Sequence, residues 1–350
     1  MENSNNTDKK KKKILIIAII AALVVLAAII TAGMLSRGGE GGAEEEDAAP
    51  VWGDEYLGID PAVDKSLKDY RNFVIYGVDN NGKSDVINIF SMNKKNGDIK
   101  IVAVNRDAYL ECDEGKFHKA NRGFDWGGID QGLWELNRNL DLNCREAIAL
   151  DWGAVERLVD AVGGVEVTID SSLTLEWVNA GISSYMNISG RDYDANEYLL
   201  DSTGSYTLNG IQAVGYCRAR KDADSFRRGE RNAEVLNQVF TKAKAMSGSE
   251  LSAVYDEVIE YVDTNMSSNK MTDTLSDVIK GDITDRYIWP VNYETWWDEF
   301  YYYVPITLET ETAQLHKELF NQKDYQPSDT VKKISGEIEE DLQDGTLHVQ

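Results

Sequence analysis

The sequence predicts an α/β domain, a central mixed β-sheet flanked by helices, carried behind a single N-terminal transmembrane helix. Three observations lead there. The body opens with short apolar, β-rich runs: "NFVIYGV" from Asn72 to Val78, then "DVINIFSMN" and "IKIVAVN". Segments with helical spacing follow and alternate with further strand-like runs, the order expected of layered α/β folds. Ahead of everything lies Ile14–Leu35, apolar throughout and free of charged residues, directly after the basic run Lys9–Lys13.

The elements follow in chain order. At 1.5 Å per residue, Ile14–Leu35 is long enough for a hydrocarbon core of roughly 30 Å. Residues 1–13 read as a cytoplasmic tail, because basic flanks stay inside, which places the body outside the cell. A cleaved signal peptide is the alternative, but its apolar region runs to only about 7–15 residues. Residues 36–68 read as an extracellular linker, opened by the Gly-rich, acidic "SRGGEGGAEEEDAAP". Residues 69–325 read as the folded α/β domain, and 326–350 as a polar tail that frays from about Lys332.

Inside the domain, "KKNGD" separates two of the strands, and Asn96-Gly97 is a hairpin signal. "GGIDQGLWELNRNL" has helical spacing at Ile129, Leu133, Leu136 and Leu140. "REAIALDWGAVERLVDAVGGVEVTID" reads as strand, helix and strand, with Gly163-Gly164 stopping the helix. Ser171–Ser205 is polar with little periodicity and reads as a long surface excursion. "TLNGIQAVGYCRAR" reads as a helix with Asn209 as N-cap. A second helix runs from about Arg228 to Met246, with Val235, Leu236, Val239 and Phe240 on one face. Two more helical stretches lie between Leu251 and Gln322, and the tryptophans and tyrosines there read as packing residues.

Charge narrows the function classes. The 350 residues carry a formal net charge of −24. Such a body is repelled by a phosphate backbone, which argues against nucleic-acid binding, but a local basic pocket can still take a small phosphorylated ligand. The segment "CRARKDADSFRRGERN", Cys217–Asn232, is such a locality, with Arg218, Arg220, Lys221, Arg227, Arg228 and Arg231. Arginine suits phosphate because its planar fork donates paired, charge-assisted hydrogen bonds. A solvated loop tied by its own Asp222, Asp224 and Glu230 would show the same composition.

Three further groups of residues carry chemistry. Asp79 closes one strand and Asp85 opens the next, across the turn "NNGKS". Two carboxylates at one sheet edge can hold a hard divalent cation through oxygen, although Asp and Asn are also common turn residues. Arg106-Asp107 ends the strand "IKIVAVN", and the hairpin brings Arg106 to the same end as Asp85. "HKANRGFDWGG" supplies His118, Lys119, Asn121 and Arg122; a lone histidine is more often a packing residue than a catalyst. HExxH, CxxC and GxxxxGK[ST] patterns do not occur, so zinc hydrolysis, dithiol redox chemistry and a P-loop find no support. The three cysteines leave at least one free thiol outside the cell, with Cys112–Cys144 a candidate disulfide and Cys217 a small buried residue.

In this order behind an anchor, "GVDNNGKSDVINIF", "VNRDAYL", "KANRGFDWGG", "LVDAVGGVEV", "LNGIQAVGYCRARKD" and "RGERNAEVL" resemble the LytR-CpsA-Psr family. The resemblance covers roughly Asn72 to Met246 and continues more weakly to about Phe320. It implies an extracytoplasmic α/β fold with a deep apolar pocket for a polyprenyl chain. The implied reaction is Mg²⁺-dependent transfer of a glycopolymer from a polyprenyl-pyrophosphate carrier to peptidoglycan, forming a phosphodiester. By position, Asp79 and Asp85 match the family's metal-linked aspartates. Arg106, Arg218, Arg220 and Arg228 match its pyrophosphate-contacting arginines, and Lys119 matches a lysine of the same site. Arg231 and Asn232 extend the anion-binding set, and Asp224 is the candidate for a further family aspartate. The chain departs from the pattern at Lys83, Asn105 and Asn232, and it has Ser225 where the family aspartate falls. Rival readings are a hydrolase acting on the same pyrophosphate and a non-catalytic binder of lipid-linked wall polymers. An anchored transcription regulator fits neither the topology nor the acidity.

Overall fold

In the computed structural model the described residues are 53–349, apart from 80–81, 191–193, 220–230, 233, 236–237, 240, 244, 268–269, 272, 275–276, 278–280 and 298–299. The predicted membrane helix and the first part of the linker lie outside them. Among the described residues no helix is long and apolar enough to cross a membrane. The chain divides into two compact units. One comprises residues 44–150, 263–270 and 277–350; the other includes 151–262 and 271–276.

The larger unit is built on a six-stranded mixed sheet. β1 (Tyr70–Val78), β2 (Ser84–Asn93) and β3 (Asp98–Val104) form an antiparallel meander, and β10 (Asp282–Trp289) joins β3 in parallel. β6 (Ala147–Asp151) and β9 (Val262–Thr264) complete the order β10-β3-β2-β1-β6-β9. The turn between β2 and β3 is the predicted one: Gly97 takes φ 77°, a value glycine reaches without steric cost, and its N–H donates to the Asn93 carbonyl at 2.9 Å.

Alternation along the strands makes the core. Val74 and Tyr76, Ile87 and Ile89, Val102 and Val104 line one sheet face. Onto it pack α2 (Arg122–Leu140), through Ile129, Leu133, Leu136 and Leu140, and α7 (Leu308–Phe320), through Leu308, Leu315 and Leu319. α8 (Asp329–Asp344) adds Val331, Ile334 and Ile338, and α1 (Pro61–Ser66) adds Val63 beside Leu57, Ile59 and Leu67. These last two helices differ from the sequence reading, which placed the first in a linker and expected the second to fray. Both are largely polar, yet apolar residues recur every three or four positions in α8, enough to bury one stripe.

α2 begins five residues before the predicted stretch and is broken at Gly127 (φ −146°) and Gly128 (φ 64°). Glu135 ties the two parts together. Its Oε2 accepts the Gly123 N–H at 3.1 Å, and its Oε1 lies 3.5 Å from the Cys112 thiol, which also reaches the Lys119 carbonyl at 3.3 Å. Burial pushes the Glu135 carboxyl well above the usual carboxylate range. The candidate disulfide is absent: Cys112, Cys144 and Cys217 are all free and buried. Cys112 instead anchors this internal network, and burial pushes Cys217 up to about 12, an inert thiol of the kind expected.

The second unit holds α3 (Trp152–Ala161), α4 (Ser172–Ser189), α5 (Gly210–Arg218) and α6 (Gly248–Val258), with a ribbon of β7 (Val165–Ile169) and β8 (Gly204–Leu208). Asp151 caps α3 through the Ala154 N–H at 2.9 Å, and α3 stops at Gly163-Gly164 (φ 75° and 86°) as predicted. Asn209 caps α5 in a reciprocal capping box with Gln212. α4 corrects the expected irregular excursion over Ser171–Ser205. Val178, Gly181, Ile182, Tyr185 and Met186 form its buried face, a stripe masked in the sequence by Ser, Thr and Asn at the intervening positions.

α4 and α5 cross at a glycine contact. A Cβ on Gly181 would lie 2.3 Å from the Gly215 carbonyl oxygen, and one on Gly215 would lie 2.3 Å from Ile182 Cγ1. Gly181→Val should therefore force the helices apart and destabilise the fold by about 1–3 kcal/mol, read as a lower urea midpoint. Glu135 generates a pH-dependent expectation. The folded carboxyl keeps its proton after the unfolded one, near pKa 4.3, has lost it. Stability is therefore full below that value and falls as pH rises toward the folded pKa, by about 1.4 kcal/mol per pH unit in between. Glu135→Gln should remove this slope. Its melting temperature should exceed that of the wild type at pH 8, with the difference shrinking toward pH 4.

Candidate functional site

The charged residues gather where two apolar rows run out. Ile89 and Ile87 of β2 face Val102 and Val104 of β3, in the register Ile89↔Val102 and Ile87↔Val104. Asp85 stands two residues before Ile87 and Arg106 two residues after Val104, in the turn beyond the paired positions. The pair forms a salt bridge from Arg106 Nη1 to Asp85 Oδ1, with side chains 16% (Asp85) and 30% (Arg106) exposed, so solvent and ligands still reach it. On its other side β2 pairs with β1 through a shift, Gly77↔Val86 followed by Val78↔Ser84, which leaves Asp85 as the extra residue of a bulge. Bulges re-aim a side chain and end regular pairing, and are frequent beside active sites.

Asp79 stands just beyond β1. Its N–H donates to the Lys83 carbonyl at 2.8 Å, and its Oδ1 accepts the Lys83 N–H at 3.0 Å, closing the turn between the strands. The third member arrives by a hairpin. β4 (Tyr109–Asp113) and β5 (Lys116–Lys119) pair antiparallel with Tyr109↔Lys119, which returns Lys119 to the end of β3. Lys119 Nζ then bonds Asp107 Oδ1 at 2.6 Å, while Asp107 Oδ2 lies 3.4 Å from Arg106 Nε. The result is a chain of alternating charge, Asp85–Arg106–Asp107–Lys119. Burial works against the Arg106 charge, but the Asp85 and Asp107 carboxylates outweigh it and raise its pKa. The guanidinium engages these carboxylates through Nη1 and Nε, and its third nitrogen carries two further N–H donors.

His118 belongs to the wall of this site. It is buried, its Nδ1 accepts the Lys119 N–H at 2.7 Å, and burial together with the positive charges of Arg122, Lys119 and Lys83 pushes it down to about 4. It is neutral at physiological pH and packs beside Tyr302 and Trp126. Arg122 pairs with Asp125 in the first turn of α2. Asp107 is the residue that the sequence reading left out of the site. It was visible in the Arg-Asp dipeptide, but its bridging role needs the β4–β5 return of Lys119, which local pattern does not reveal.

The remaining candidates belong to the other unit. Arg218 ends α5, with its guanidinium 5.7 Å from the Trp152 ring and its Nη2 3.4 Å from Ser184 Oγ. Arg231 is buried, donates from Nη2 to the Ala219 carbonyl at 2.5 Å and lies over the Tyr216 ring. These contacts secure the residue after α5. Asn232 follows it on a helical stretch and is half-buried. Val235 and Val239 of the predicted second helix are fully buried. Arg220, Asp224, Ser225 and Arg228 lie outside the described residues.

The donor chemistry near Asp79 and Asp85 suits Mg²⁺. Both residues offer hard carboxylate oxygens, and among the described residues no cluster of three or more His, Cys, Asp or Glu forms a full protein cage. Mg²⁺ is commonly held in this way, by one or two carboxylates, with water and substrate phosphates completing the shell.

The chain resembles known proteins over most of its length. The LytR_cpsA_psr family model matches residues 44–320. The polyisoprenyl-teichoic acid–peptidoglycan teichoic acid transferase TagT of Bacillus subtilis (strain 168) is 25% identical over 221 residues, 61% of this chain and 63% of the relative. TagU of Bacillus cereus (strain AH820), of the same transferase description, is 28% identical over 205 residues, 58% of this chain and 60% of the relative. The chain thus spans somewhat under two thirds of the length of these relatives. Among solved structures, "TagT bound to LIIa-WTA" superposes with a TM-score of 0.53 at 22% identity, covering 73% of this chain and 91% of that one. Protein gbs0355 of Streptococcus agalactiae gives 0.54 at 21% identity, covering 77% and 92%. These structures share the fold, and the family match extends over most of the chain: the protein belongs to the LytR-CpsA-Psr family.

Proposed function

We propose that the protein is a phosphotransferase. It moves a glycopolymer from a polyprenyl-pyrophosphate carrier to peptidoglycan on the outer face of the membrane, anchored through Ile14–Leu35. The observation that carries this reading is the Asp85–Arg106–Asp107–Lys119 chain at the ends of β2 and β3, in a member of a family whose named relatives are teichoic acid transferases.

The reaction exchanges one phosphorus–oxygen bond for another. A sugar hydroxyl of the acceptor attacks the phosphorus bearing the glycopolymer, the bond to the bridging oxygen breaks, and polyprenyl phosphate leaves with that oxygen. The demand on the protein is in-line positioning and stabilisation of spread negative charge. Arg106 meets it with the two N–H donors left on its third nitrogen, and Lys119 adds a point charge. Arg218, Arg220, Arg228 and Asn232 extend the anion-binding set in this reading. Arg231 is buried and bonds the Ala219 carbonyl, the residue after α5. Asp79 and Asp85 would hold Mg²⁺, which supplies charge neutralisation to the pyrophosphate when bound. The acceptor hydroxyl's proton passes to a carboxylate of the cluster, Asp85 in this reading, with Asp224 the further acidic candidate.

The test uses the full-length chain in detergent micelles with a synthetic polyprenyl-pyrophosphate saccharide and peptidoglycan. Arg106→Ala and Asp85→Asn should each lower transfer by about 10²–10³-fold, the loss typical of one transition-state charge contact, with thermal melting close to wild type. Wild-type turnover in either variant would remove the site assignment. Chelation of divalent cations should stop transfer and added Mg²⁺ restore it. Saccharide phosphate released equally with and without acceptor would instead identify a hydrolase.

A further inference from the structure

The imidazole of His118 is built into the site with half of its hydrogen-bonding capacity unused. It stands in β5, next to Lys119. It packs on Tyr302, a fully buried residue of the antiparallel ribbon of β11 (Tyr293–Trp297) and β12 (Tyr301–Pro305), with 5.9 Å between ring centroids. Trp126 meets it edge to face at 6.2 Å. Lys119 Nζ lies 5.3 Å from the same Tyr302 ring, so the imidazole and the ammonium adjoin one ring.

The ring's tautomer is fixed by the backbone. His118 Nδ1 accepts the Lys119 N–H at 2.7 Å. A nitrogen that accepts carries no proton, so the neutral ring keeps its proton on Nε2. That N–H has no acceptor among the described residues, and His118 is only 7% exposed. A buried donor left unpaired is costly, and in native structures such groups are satisfied by protein, water or ligand.

The surroundings select the acceptor. Arg122 from the start of α2, Lys119 beside the ring and Lys83 from the turn after β1 all set positive charge toward it, against the carboxylate of Asp125. A surplus of positive charge favours an anionic oxygen over a hydroxyl or a carbonyl. The same cations, with burial, keep the imidazole neutral. Such a ring binds an anion by donating a hydrogen bond and keeps its proton while doing so.

We propose that His118 is a ligand-binding residue whose Nε2–H donates to a phosphoryl oxygen of the pyrophosphate engaged by Arg106 and Lys119. The identity of this anion rests on the transferase reading above. Nδ1 meanwhile holds the Lys119 backbone, so one ring ties the lysine's position to the ligand its ammonium meets. Lysine is a point charge on a flexible stem and sets no direction. The imidazole adds a donor of fixed direction.

The test uses the full-length chain in detergent micelles with Mg²⁺, at neutral pH, and inorganic pyrophosphate as the probe. Two variants separate the nitrogens. The Asn amide oxygen falls where Nδ1 lies, so His118→Asn keeps the bond to the Lys119 N–H and removes the second donor. The longer Gln amide places an N–H where Nε2 lies, so His118→Gln keeps that donor. His118→Asn should weaken pyrophosphate binding about tenfold to a hundredfold, the order of a lost hydrogen bond to a charged group, with thermal melting close to wild type. His118→Gln should recover most of the affinity. In the wild type, the nitrogen resonance of His118 Nε2 should shift on adding pyrophosphate. Unchanged binding in His118→Asn overturns the proposal, as does a wild type that binds no pyrophosphate. Equal loss in the Asn and Gln variants also overturns it and assigns the ring to packing. If Arg106→Ala removes binding and transfer while His118→Asn alters neither, the His118 contact fails and the transferase reading stands. If the wild type binds pyrophosphate through His118 but transfers no saccharide to peptidoglycan, the contact stands and the transferase reading fails.

Discussion

The pairing register of β2 with β3 is the constraint on which the candidate site depends. It is set by burial. Ile87 and Ile89 must face the same core as Val102 and Val104, and a slip of one residue would turn every one of these side chains to the other face of the sheet. Once the apolar rows are matched, Asp85 and the turn that carries Arg106 come to the same end of the two strands, where their side chains pair. The ion pair stands where the core ends and water begins. The bulge beside Asp85 then interrupts the β1–β2 ladder at the same place, so the carboxylate stands at an irregular edge.

Around that pair the protein has arranged groups whose charge is maintained and groups whose charge is suppressed. Arg106 is held charged between two carboxylates, and Lys119 is fixed by Asp107 over aromatic rings. His118, a few ångströms of backbone away, is kept neutral by burial and by the cations near it, which removes the one side chain that would otherwise titrate near neutral pH. Glu135, deeper still, has its carboxyl pushed well up by burial, and its contacts with Gly123 and Cys112 support the chain segment carrying Lys119. A half-accessible charged layer therefore sits on a buried, uncharged polar layer. Preorganisation of this kind is what the proposed transfer would require, because little would have to move as a substrate's charge arrived.

The second unit shows another form of constraint. α4 and α5 approach so closely that backbone meets backbone at Gly181 and Gly215, and the end of α5 is secured by Arg231 on the Ala219 carbonyl. Arg218 is presented from that fixed end. An arginine-rich segment in an acidic protein is thereby divided by role: Arg231 is consumed by the fold, while Arg218 stacks on Trp152 closer to the surface.

The sequence by itself determined the α/β class, the hairpin with its Asn96-Gly97 turn, the capped helix at Asn209, the Gly163-Gly164 stop and the arrival of Asp85 and Arg106 at one end of that hairpin. All of these follow from short-range signals, periodicity, capping and turn chemistry, or from a single hairpin register. The family pattern was legible for the same reason, since its motifs sit on those local elements. What only the tertiary structure decided depends on long-range packing. α4 and α8 are polar enough to read as excursion and tail, and became helices because a thin apolar stripe found a surface to cover. Cys112 reached Glu135 instead of Cys144. Asp107 became the bridge of the site because the β4–β5 hairpin returns Lys119 to it. The aromatic run at Tyr293–Tyr303, which composition assigns to packing, split into a buried face and an exposed one. The sequence supplies the alternation, and only the docking of the ribbon on the core decides which face meets water.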